Sequence, residues 1–119
     1  MGALRAILIV ISIVLMANQA SAKKYYLGAG GVSCGAWLET RKNGDDVETF
    51  QLQAWVQGFV SGVNATSQND FLAAPDAEAI FAWLDNYCRQ HPLEKVIEAS
   101  HLLILELKMR AAGDGTKTK

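Results

Sequence analysis

Cys34 and Cys88 are the only two cysteines in this 119-residue chain, and they constrain it more than any other feature. Their meaning depends on compartment, which the first residues address. Met1 to Arg5 carries one positive charge, Ala6 to Ala17 is apolar apart from Ser12, and Ala20-Ser21-Ala22 has the small-x-small form of a cleavage site. A charged start, a short apolar run and small residues at −3 and −1 describe a secretory leader. The run is shorter than the roughly 20 residues that span a bilayer. Residues 1–22 are therefore expected to be a cleaved signal peptide, with no stable membrane insertion afterwards. The mature chain begins at Lys23 and is exported, to the periplasm in the simplest reading. In an oxidising compartment an even cysteine count reads as a disulfide. Linking two positions 54 residues apart is worth about 4 kcal/mol in the chain-entropy model, useful to a core this small.

Two chemical readings compete with the bridge. Cys88-Arg-Gln-His91 has C-x-x-H spacing, and Cys34 and His101 could complete a metal site. No ligand pair repeats, however, and exported thiols are usually oxidised, so no metal and no cofactor is expected. Gly31-Val-Ser33-Cys-Gly35 spells G-x-S-x-G, the nucleophile elbow of serine hydrolases, with Asp85 and His91 or His101 as conceivable partners. An elbow needs a strand before it and a parallel sheet beneath it. Only "KKYYL" precedes the glycines, and no β-branched run elsewhere builds a sheet. Ser33 is expected instead to cap a helix, since its hydroxyl can accept from a first-turn amide. A hydrolase using Ser33 remains the remote alternative, and the chain is expected not to be an enzyme. Without Arg5, ten Lys and Arg stand against twelve Asp and Glu, a net charge of −2 that argues against a nucleic-acid partner.

The remainder reads as an all-α domain of about four helices. A Gly-rich, flexible lead-in covers 23–33, the helical domain 34–111 and a disordered tail 112–119. The first helix should run from Cys34 to about Arg41, broken by Lys42 to Asp46, where Asn-Gly signals a turn and Asp45 or Asp46 can cap the next helix. The second, Val47 to about Asn64, places Leu52, Trp55, Val56, Phe59, Val60 and Val63 on one arc. Beside that arc run Ala54, Gly58 and Gly62. Helical glycine costs about 1 kcal/mol against alanine, so close approach of a neighbouring helix is the expected return. In the connector Thr66 to Pro75, Phe71 and Leu72 should pack onto the core. The third helix opens at Pro75-Asp76 and turns Ala77, Ile80, Leu84, Tyr87 and Cys88 inward. Phe81 and Trp83 lie at its edges, Glu78, Asp85 and Arg89 point outward, and His91-Pro92 ends it. The last helix starts at Pro92 and runs to about Ala111, with Leu93, Val96, Ile97, Ser100, Leu103, Ile104 and Leu107 as its stripe. Leu102, Leu105 and Met109 fall on the opposite side. Either the helix is covered from two sides, or these three meet a protein partner or a second copy.

Four helices, one bridge and a leader resemble the HdeA/HdeB-type periplasmic proteins. The residues that carry the resemblance are "SCGAW", "WVQGFVSGVN", "DNYCRQHP" and the long last helix. It implies an acid-stress chaperone acting through exposed apolar surface, with a dimer at neutral pH. "FVSGVN", "AWLDNYCRQHP" and "EASHLLILEL" are also similar to Tai-type immunity proteins, which implies binding to a secreted amidase effector. Both resemblances point to binding protein rather than to catalysis.

Overall fold

The computed structural model describes residues 1–2 and 24–115. The expected leader, apart from its first two residues, and residues 116–119 lie outside the described residues. The architecture is all-α: a 3-10 turn at Gly28–Gly31, then α1 (Cys34–Asn43), α2 (Asp46–Ala65), α3 (Ala77–Gln90) and α4 (Val96–Gly115). Short polar side chains start the first three helices. Ser33 Oγ accepts from the Ala36 amide, an Asp45 carboxylate oxygen from Glu48, and one of Asp76 from Ala79. Each satisfies an amide that has no partner within its helix. At the start of α4, a Glu98 carboxylate oxygen accepts from the Lys95 amide.

The core lies where the four helices meet. Trp37 from α1, Val56 and Val60 from α2, Phe81 and Leu84 from α3, and Val96 and Leu103 from α4 are all essentially buried. Phe71 drops from the connector into the same cluster, and Leu72 packs against its edge. Cys34 and Cys88 form a disulfide that ties the first residue of α1 to the end of α3. Backbone hydrogen bonds reinforce that junction. The Cys34 amide donates to Glu94 O, Gly35 to Pro92 O at 2.9 Å, and Val96 to Val32 O at 3.0 Å. Ser33 and Lys95 form an isolated antiparallel bridge. The α1 N-terminus is thus fastened to the end of α3 by the disulfide and to the α3–α4 turn by three backbone hydrogen bonds, two of which make the bridge.

Several expectations are corrected. Within the expected Gly-rich lead-in, Gly28–Gly31 form a 3-10 turn in which Gly30 is buried, and a Cβ there would lie inside the Trp55 ring. Gly28 has φ +80°, a conformation costly for any residue with a side chain, and the indole N–H of Trp55 donates to Leu27 O at 2.8 Å. Gly58 and Gly62 are exposed, and a Cβ on either would meet nothing within 4 Å. The close helix approach expected along Ala54, Gly58 and Gly62 therefore does not occur among the described residues. Phe81 is core rather than edge, at 2% exposure. The last helix begins at Val96, not Pro92, so Leu93 sits in the turn before it and is 93% exposed instead of joining the stripe. Its C-terminal end continues to Gly115, through residues expected to belong to the tail.

Candidate functional site

The groups singled out for chemistry go to separate places. Ser33 Oγ is occupied at the N-cap of α1. Asp85, expected to point outward, is instead partly buried between helices. One of its oxygens accepts from Trp37 Nε1 at 2.7 Å and from Arg41 Nε at 2.9 Å, and the other from Arg41 Nη2 at 2.7 Å. The guanidinium also lies 5.7 Å from the Trp37 ring centre and 5.6 Å from that of Phe81. Hydrogen bonding to Asp85 raises the Arg41 pKa, against the opposing effect of burial. His91 Nδ1 is 3.5 Å from Glu94. His101 makes edge contacts with Tyr26 and Phe59, at 6.0 and 5.3 Å between ring centres. Ser33, Asp85 and the two histidines therefore have partners of their own rather than one another. Cys34 and Cys88 are spent in the disulfide, which removes both thiolates from the C-x-x-H arrangement.

The G-x-S-x-G spelling has a structural account. Ser33 caps the helix, Cys34 bonds to Cys88, and Gly35 lies against the Pro92 carbonyl, where a Cβ would sit 3.4 Å away. Gly31 faces open space.

The outer face of α4 is different. Leu102, Leu105 and Met109 are 44%, 54% and 61% exposed, while Val96, Leu103 and Ile104 on the opposite side are buried. At 100° per residue the three fall within about 60° of one another, with Ala112 beside them. This face is bounded by aromatic clusters on both sides. One turn before Leu105, His101 carries the Tyr26–Phe59 cluster, extended by Trp55 stacked on Phe59 at 5.2 Å. One turn after Leu102, Glu106 accepts from Trp83 Nε1 at 2.8 Å. Trp83 begins a ladder along α3, stacked on Tyr87 at 5.3 Å, which stacks on His91 at 4.3 Å. Their i, i+4 spacing places them on one helix face.

Carboxylates hold this second border. The indole N–H of Trp83 and the Arg110 guanidinium both stabilise ionised Glu106, so its pKa lies below the ordinary carboxylate value. The Tyr87 hydroxyl donates to Glu94, which with partial burial pushes the phenol pKa up to about 12. An exposed leucine is unremarkable singly. Leu102, Leu105 and Met109 differ in lying together on one strip, between the two aromatic clusters.

Among the described residues, no three histidines, cysteines or carboxylates gather as a metal-binding group, and no helix is long and apolar enough to cross a membrane. The fold and this surface define a small, disulfide-linked, all-α domain with an apolar helix face open to solvent. Comparison with protein-family models, curated proteins and solved structures finds no match to the chain.

Proposed function

We propose that this is an exported domain that works by binding protein on the outer face of α4, with no chemistry of its own, as a periplasmic acid-stress chaperone. The observation that carries the reading is the exposure of Leu102, Leu105 and Met109 on a helix whose other face is already core. Export is supported by the leader-like start and is consistent with the oxidised Cys34–Cys88 pair.

The acid-stress role draws support from how the border is fastened. Glu106 holds Trp83, and Glu94 holds Tyr87. Near pH 2 to 3 carboxylates with reference pKa values of about 4 become protonated. Once the pH falls through the lowered pKa of Glu106 its charged hydrogen bond to Trp83 weakens, the chain becomes strongly cationic, and the aromatic border swings away from the core. Apolar surface beside Leu102 grows under the conditions that denature other proteins.

The test is aggregation of unrelated client proteins at pH 2 to 3 and at neutral pH. The oxidised protein should suppress aggregation in acid and do little at neutral pH. Absence of suppression in acid, together with tight neutral-pH binding of one secreted amidase effector, would replace the chaperone reading with the immunity one.

A further inference from the structure

Leu38, Arg41 and Lys42 follow the i, i+3, i+4 spacing of one face of α1, and Asp85 and Arg89 the i, i+4 spacing of one face of α3. The two faces meet around a cleft of about 340 Å³ lined by these five residues. Three cations therefore surround one carboxylate, and that carboxylate is already engaged by Trp37 and Arg41. Glu78 favours charged Arg41 from outside the lining. Lys42 and Arg89 are exposed, and among the described residues neither pairs with a carboxylate; Arg89 donates to the neutral amide oxygen of Asn86. A basic residue in the last turn favours its own helix end, which accounts for Arg41, Lys42 and Arg89 one at a time. It does not account for all three lining one cleft, in a chain whose net charge without the leader is −2.

One of these cations is held in place. Asp85 grips the Arg41 guanidinium through Nε and Nη2, and the group lies against the Trp37 and Phe81 rings, which leaves Nη1 unengaged among the described residues. Lys42 and Arg89 enter from separate helices. A carboxylate brings one charge and two oxygens in a plane, which matches one such cation. A phosphomonoester brings about −1.5 to −2 charges at neutral pH and three acceptor oxygens, which matches two unpaired charges and three donors. Guanidinium donors also fit phosphate oxygens in pairs. The cleft has the volume of about eleven water molecules at roughly 30 Å³ each, more than the five heavy atoms of a phosphate occupy. Half-buried Leu38 gives the remaining space an apolar wall, suited to a small organic body.

We propose that the cleft between α1 and α3 binds a phosphomonoester group, with Arg41, Lys42 and Arg89 as its donors and Leu38 against the organic part. The site shares no residue with the outer face of α4 and goes beyond the protein-binding reading, so either can fail alone. A soluble ester and a lipid headgroup carry the same phosphate, and only the lipid presents it at a surface. Because Lys42 and Arg89 stand in water, binding is salt-sensitive and weak, with Kd on the order of 0.1–1 mM.

Isothermal titration calorimetry of glycerol phosphate into the oxidised protein at low ionic strength reads this directly. Glycerate, of similar size but with a carboxylate, should bind at least about fivefold more weakly. Lys42→Gln and Arg89→Gln should each weaken glycerol phosphate roughly three- to tenfold, and the double variant should lose measurable binding. Both side chains are exposed, so helix content and melting should stay as in the wild type. Lys108→Gln removes a cation of α4 outside the cleft and should bind like the wild type. The second arm is co-sedimentation with vesicles of phosphatidic acid in phosphatidylcholine, against phosphatidylcholine alone. Binding in calorimetry assigns a soluble ester and binding to the vesicles alone a lipid headgroup; either upholds the site when the double variant loses it. No binding in either arm overturns the proposal. So does glycerate as tight as glycerol phosphate, binding that survives in the double variant, or a loss in Lys108→Gln equal to that in Lys42→Gln.

Discussion

Replacing Asp85 tests whether the α1–α3 junction depends on one carboxylate. Its oxygens accept from Trp37 Nε1 and, side-on, from Arg41 Nε and Nη2, while the Trp37 residue is fully buried. Asp85→Ala leaves the indole N–H without an acceptor, which costs about 1–3 kcal/mol. It also removes the partner of Arg41. The two side chains of that ion pair are 22% and 20% exposed, so solvent screens part of the interaction and roughly 1 kcal/mol is a fair share. The expected loss is about 2–4 kcal/mol. Asp85→Asn keeps an acceptor for the indole and loses the charge, so its loss should be nearer 1 kcal/mol. For a domain of this size each kcal/mol shifts Tm by about 4–8 °C. Thermal unfolding followed by circular dichroism should rank wild type above Asp85→Asn above Asp85→Ala, with the alanine variant at least 8 °C below wild type. Equal losses for the two variants would refute the role given to the Trp37 tie. An alanine variant as stable as wild type would refute the whole argument.

The glycines should divide into two groups. Gly30→Ala places a methyl within the Trp55 ring and should lower Tm, whereas Gly58→Ala meets open space on a helix and should raise stability by about 0.5–1 kcal/mol in urea unfolding. Glu106 gives a pH signature. Because its folded pKa is lowered, its contribution is fully present above the unfolded value of 4.5 and fades as pH falls through the folded pKa. Glu106→Gln should accordingly be less stable than wild type at pH 7, and the gap should close in acid; a gap independent of pH would contradict the assignment.

The fold was legible in the sequence because its signals are local. Ser33, Asp45 and Asp76 announce helix starts by residue type, and the arc from Leu52 to Val63 announces a buried side by period. The cysteine pairing followed from compartment and number rather than geometry. Periodicity tells which way a residue faces but not whether anything stands opposite. Gly58 and Gly62 therefore suggest a neighbour that the described residues do not supply, while Gly30 receives Trp55 from 25 positions away. Leu93 fitted the α4 stripe by spacing, but Pro92 opens a turn there and α4 begins three residues later than Leu93. Asp85 looked like a surface charge on α3. Its partners lie on α1, more than 40 positions earlier, with no local pattern to reveal them. The Trp83–Tyr87–His91 ladder has a spacing of four that the sequence carries, but spacing alone does not tell stacked rings from separate ones.

The central claim is that the outer face of α4 is the working surface, and Leu105→Lys tests it most directly. Leu105 is 54% exposed, so a charge there should be tolerated by the fold. Lysine is the better replacement than glutamate because it stays charged in acid, where a glutamate would be neutral. The measurement is suppression of client aggregation at pH 2 to 3 by wild type and variant, each first checked at neutral pH for helix content and cooperative melting. The account predicts a variant that folds like wild type and no longer suppresses aggregation. A folded variant that suppresses aggregation as well as wild type would contradict it. So would an unfolded variant, which would place Leu105 in the core rather than on the surface.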